Sequence, residues 1–90
     1  MTLLALLANG TKIASVSASG KSINGGATAT FTITASEVNR ILHVLGYKFA
    51  ATAGTAAGVF SETISDNTLS IKVYSAATAT VTPTAVVLGV

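Results

Sequence analysis

Residues 27–35, Ala-Thr-Ala-Thr-Phe-Thr-Ile-Thr-Ala, alternate without a break between apolar and hydroxyl side chains. A period of two puts Ala27, Ala29, Phe31, Ile33 and Ala35 on one face of an extended chain and Thr28, Thr30, Thr32 and Thr34 on the other. On a helix the same residues would mix on every side. The stretch therefore reads as a strand with one buried and one polar face, and it needs partners elsewhere in the chain. Ninety residues allow one core, so a single domain over residues 1–90 is expected to supply them.

The longest apolar run, Arg40 to Ala51, has two readings. As a helix it would take Ser36 as N-cap and Glu37 in its first turn. Val38, Ile41, Leu42 and Leu45 would form the buried stripe, and Gly46 would stop it. As a strand it places Ile41, His43, Leu45, Tyr47 and Phe49 on one side and Leu42, Val44, Gly46, Lys48 and Ala50 on the other. The strand is preferred, because β-branched and aromatic residues continue past Gly46. With both sides mostly apolar, it reads as a central strand covered on both faces, with one helical turn at residues 36–40 ahead of it.

Further strands follow from the same rule. Lys12 to Ala18 alternates, with Ala14, Val16 and Ala18 on one face, after a turn at Asn9-Gly10. Gly20 to Gly26 reads as a loop, and so does Ala50 to Gly58. Val59–Ser65 and Thr68–Ser75 read as a hairpin across Asp66-Asn67. That pairing sets Ile64 against Leu69, Glu62 against Ile71 and Phe60 against Val73. The opposite face sets Thr63 against Ser70, Ser61 against Lys72 and Val59 against Tyr74. It turns Glu62 inward, where Lys48 or Arg40 would have to meet it, unless that end of the sheet opens into a contact surface. Thr80–Thr82 starts another strand, which Pro83 should confine to an edge or break. Ala85–Val90 is a final apolar strand. Seven to eight short strands predict an all-β chain, an antiparallel β-sandwich of jelly-roll or immunoglobulin-like type.

Charge is what sets this chain apart. Only 9% of its residues are charged and Ala, Thr and Ser make up 39 of the 90, where a usual charged share is roughly 25%. A surface so poor in charge is weakly protected against association, so much of it should be covered by other subunits. The net charge of +2 is no nucleic-acid footprint, since Lys12, Lys21, Lys48 and Lys72 are scattered and not interleaved with aromatics. Met1–Ala8 lacks a basic leader and is far below the roughly 20 residues that span a bilayer. It reads as an N-terminal arm or first strand, in a chain made and assembled in a cytoplasm and without a membrane partner.

No chemical signature stands out. The chain holds one histidine, His43, and no cysteine. No serine lies in a Gly-x-Ser-x-Gly elbow that would pair with His43 and Asp66 or Glu37. One histidine and three scattered acids make no metal cluster. Gly20-Lys21-Ser22 echoes the end of a phosphate loop, but the first glycine is replaced by Ser15. Without tryptophan, carbohydrate stacking would fall to Tyr47 and Tyr74, both better read as packing or rim residues. No enzyme, cofactor, metal or small-molecule substrate is expected. The threonine faces read either as solvated sheet or as flat, weakly charged surfaces that pack on another subunit, and the low charge favours the second for at least one face.

The phrase from Arg40 to Thr55 and the ending from Ala79 to Val90 resemble passages of small β-sandwich virion proteins of tailed bacteriophages. Residues 20–35 look like the opening strands of immunoglobulin-like domains. The resemblance implies a capsid decoration (cement) protein on the virion surface. Its partners would be the major capsid protein and copies of itself in a homo-oligomer such as a trimer. The alternative it implies is a tail or fibre module recognising a host surface, which exposed tyrosines clustered at one loop end would favour. The candidate interface residues are Thr2, Leu3, Leu4, Leu6 and Leu7 in the arm and Val86, Leu88 and Val90 in the last strand.

Overall fold

A computed structural model describes residues 2–6 as backbone and residues 10–52 and 57–90 in full. Within them the chain forms eight strands: β1 (Thr2–Leu6), β2 (Lys12–Ser17), β3 (Lys21–Ile23), β4 (Ala27–Thr34), β5 (Ile41–Ala51), β6 (Ala57–Ser65), β7 (Thr68–Ser75) and β8 (Ala79–Gly89). They build two antiparallel sheets. The first holds β1, β2, β3, β5 and β8, and the second runs β4-β7-β6. The all-β sandwich expected from the alternation is what the chain forms.

The core lies between the sheets and is made by every second residue. Ala79, Val81, Ala85 and Val87 of β8, Ala14 and Val16 of β2 and Ile23 of β3 meet Phe31, Ile33, Leu69, Ile71 and Val73 of the second sheet. All are buried, and each large side chain among them contributes about 1.5–3 kcal/mol relative to exposure. The four threonines of β4 point to solvent, as the alternation requires.

The centre of the first sheet is β8 and not β5. One side of β8 pairs with β2 over Thr84–Gly89 and with β3 over Ala79–Val81. Its other side pairs with β5 from Val81 to Gly89. Pro83 therefore sits inside an unbroken central strand, contrary to the edge or break expected of it. The Pro83 carbonyl accepts from the Ala18 amide at 3.1 Å, so this residue faces the gap between β2 and β3. In a strand the nitrogen faces the same way, so the missing N–H takes nothing from the β5–β8 ladder and forgoes at most one bond to Ala18, just past the end of β2. The chain crosses that gap closely. A Cβ on Gly20 would lie 2.6 Å from the Thr82 hydroxyl. The segment read as one loop, residues 20–26, thus contains β3.

β5 is a strand, as preferred, but an edge strand with one side of its backbone unpaired among the described residues. Leu42 and Leu45 are extra residues, at register shifts between Ile41 and His43 and between Val44 and Gly46. The two bulges replace the simple alternation. Ile41, Val44, Tyr47 and Phe49 pack on the core, while His43, Gly46 and Lys48 stand opposite Leu88, Val86 and Thr84 on the outer face. Of the helical stripe Val38, Ile41, Leu42 and Leu45, only Val38 and Ile41 are buried. Residues 36–40 form turns instead of a helical turn, with the Val38 amide on the Ala35 carbonyl at 3.1 Å.

The hairpin turns at Asp66-Asn67, and its register agrees with the expected one from Ser65–Thr68 back to Ser61–Lys72. Beyond it, Phe60 is a bulge and Val59 pairs with Val73, not Phe60 with Val73 or Val59 with Tyr74. The extra residue returns Val59 to the core side and leaves Phe60 outside. Asp66 takes a φ of 52°, a left-handed conformation that Asp tolerates better than most residues. The turn also ties the sheets together: the Asp66 and Asn67 carbonyls accept from the Ile41 and Ala35 amides, both at 2.8 Å. Ala50 and Ala51 belong to β5 and Ala57 and Gly58 to β6, which shortens the expected loop from both ends.

Candidate interaction edge

β5 and β6 form the same edge of the sandwich, one in each sheet. Their facing sides are joined by the Tyr47 hydroxyl, which donates to the Glu62 carboxylate. Tyr47 stacks on Phe49 with ring centroids 6.2 Å apart. Burial, then the Glu62 hydrogen bond and its negative charge, push the Tyr47 phenol well above its ordinary range. Glu62 lies opposite Ile71 on the inner side of β6, as its register predicted. It nevertheless stays exposed. Its partner is Tyr47 and not Lys48, which stands opposite Thr84 on the outer face.

The edge is apolar for its position. Leu42 and Leu45 on β5 are 43% and 49% exposed, and Phe60 and Ile64 on β6 are 73% and 37% exposed. From Phe60 to Ser65 every residue of β6 is exposed, and the strand is unpaired on its outer side among the described residues. Three of the four apolar residues are bulge positions. Their exposure is invisible to a period-two reading, which turned Phe60 inward; the surplus of apolar residues in 40–51 was the one available hint.

The residues expected at an interface lie elsewhere. Thr2–Leu6 forms β1, paired with β2 through Thr2–Ser15, Leu3–Ala14 and Leu6–Lys12, with a register shift spanning Leu4. Leu7 lies outside the described residues. Val86 and Leu88 occupy the outer face of the first sheet, Val86 opposite Ser15 and Leu88 opposite Ile13. They and Val90 are half-buried. The Val90 carbonyl accepts from the Asn39 amide at 2.6 Å, and its amide donates to Arg40 at 3.0 Å.

The polar candidates are dispersed. His43 is exposed on the outer face opposite Leu88. Among the described residues no three of His, Asp and Glu gather as metal ligands would. Lys21 belongs to β3, donates to the Thr30 carbonyl and lies 5.3 Å over the Phe31 ring. Lys12 donates to the Glu37 carbonyl at 3.0 Å, and Lys72 lies opposite Thr30 on the second sheet. Tyr47 and Tyr74 sit on different sheets and share no platform. The outer face of the second sheet sets Thr28, Thr30, Thr32 and Thr34 opposite Tyr74, Lys72, Ser70 and Thr68. Set against protein-family models, curated proteins and solved structures, the chain matches none.

Proposed function

We propose that this chain is a non-catalytic assembly subunit, and specifically a capsid decoration protein that binds the major capsid lattice on the virion surface. The observation that carries the reading is the edge of β5 and β6. Four exposed apolar side chains line two strands whose outer backbone is unpaired among the described residues, in a chain of eight charged residues. A long, weakly charged edge of this kind is a liability for a dispersed monomer and an asset for a subunit held among neighbours. The half-buried Val86, Leu88 and Val90 and the hydroxyl-rich outer face of β4 and β7 offer further contact area of low charge. The mechanism is interface burial, at about 25 cal/mol per Å² of apolar surface, repeated at symmetric positions of a shell. The resemblance of residues 40–55 and 79–90 to phage virion passages points the same way.

The test is co-sedimentation of the purified protein with shells assembled from the major capsid protein encoded in the same genome. Saturable binding and a higher shell disruption temperature are expected. A protein that stays in the supernatant at all concentrations, with the shell's stability unchanged, overturns the reading.

A further inference from the structure

We infer that β6 is a docking edge for β6 of a second copy of this chain, the two strands pairing antiparallel about a two-fold axis at Thr63. The inference specifies one contact within the assembly reading above. Its first ground is the hydrogen-bonding phase of the hairpin. Across a two-residue loop the flanking pair, here Ser65 and Thr68, exchanges both backbone bonds, and bonded and non-bonded pairs then alternate. Ser65, Thr63 and Ser61 therefore turn their amides and carbonyls toward β7. Glu62 and Ile64 turn theirs toward the open side.

The second ground is that this edge is complementary to itself in one register. Pairing about Thr63 sets Ile64 opposite Glu62 of the second copy, so the outward amides and carbonyls of both strands meet as bonded pairs. Thr63 then faces its own copy in a non-bonded pair, and Ser61 faces Ser65, on the exposed outer side. Moving the axis to Glu62 would also match the bonding phase. It would set two carboxylates directly opposite, which is destabilising, and an axis at Ile64, in the same phase, would set Glu62 opposite Asp66 of the second copy. Charge thus selects the Thr63 register.

The third ground is which edge is open: on β4, the other edge of the same sheet, the Thr30 carbonyl already accepts from Lys21. β5 carries two bulges, at Leu42 and Leu45, and Lys48, devices that blunt strand pairing. β6 is regular from Ser61 to Ser65, free of proline, and bears one charge. β5 lies along the same side of the sandwich as β6. Leu42, Leu45, Phe60 and Ile64 supply the apolar content of that side.

The chain has no cysteine, so one introduced thiol reports the register cleanly. In a non-bonded antiparallel pair the Cα atoms are about 4.5 Å apart, within disulfide range. Thr63→Cys should cross-link to a covalent dimer under mild oxidation, whereas Thr30→Cys on exposed β4 should not. Light scattering should give the unmodified protein a mass near twice 8.9 kDa, and Thr63→Lys, folded by circular dichroism, should return the monomer mass. A monomer at millimolar concentration, or Thr63→Cys cross-linking no better than Thr30→Cys, overturns the pairing. A Thr63-linked dimer that ignores capsid shells retains this contact and removes the decoration role; a monomer that binds shells does the reverse.

Discussion

The Tyr47 hydroxyl on β5 donates to the Glu62 carboxylate on β6, linking the two sheets along their open edge. The Tyr47 phenol is held neutral above its ordinary pKa, first by burial and then by Glu62. A raised folded-state value means the link stabilises fully below the unfolded tyrosine pKa of about 10, and is lost as pH rises through the higher folded value. Melting temperature should fall between pH 10 and pH 12. In Tyr47→Phe that fall should shrink, with a cost at neutral pH of about 1 kcal/mol for the lost hydrogen bond. Thermal melts across this range check both.

Gly89 and Gly46 lie in the ladder between β8 and β5 and should respond oppositely to alanine. A Cβ at Gly89 would meet the Arg40 carbonyl oxygen at 2.7 Å and Val38 Cβ at 2.8 Å, whereas nothing lies within 4 Å of one at Gly46. Gly89→Ala should destabilise by about 1–3 kcal/mol, the usual cost of overpacking. Gly46→Ala should fall within about 0.5 kcal/mol of the parent. Urea titrations of the two variants decide it.

Asp66 holds the hairpin in the left-handed region with a φ of 52°. Asp66→Gly should be neutral or stabilising, and Asp66→Val should cost about 1–2 kcal/mol. Because the Asp66 carbonyl also receives the Ile41 amide, the valine variant should loosen the start of β5. Faster hydrogen exchange at Ile41 would report this.

Buried and edge leucine-type residues should separate stability from association. Ile71→Ala, at 1% exposure, should cost about 2–5 kcal/mol. Leu45→Ala, at 49% exposure, should leave the melting temperature within a degree or two and reduce self-association measured by sedimentation. A large loss of stability in Leu45→Ala would return that residue to the core.

The alternation of Ala27–Ala35 and the Asp66-Asn67 turn were enough to read β4, the β6–β7 hairpin and its register from Ser61 to Ser65. The exposed edge was not readable in this way. Leu42, Leu45 and Phe60 each stand where a bulge adds one residue, and an added residue reverses the faces that period-two counting assigns beyond it. Glu62 read correctly as inward, but its partner Tyr47 comes from the other sheet, and sheet-to-sheet proximity leaves no trace in local spacing.

What the amino-acid order determined by itself is the all-β character, the apolar stripe of each regular strand and the hairpin turn, because these depend on side-chain period and on the backbone freedom of single residues. Tertiary structure alone decided that β8 is central and β5 an edge, that Pro83 is accommodated between β2 and β3, and that Leu42, Leu45, Phe60 and Ile64 are exposed on the two strands of one edge. Those outcomes depend on which distant strands become neighbours, and many residues far apart in the chain settle that competition jointly.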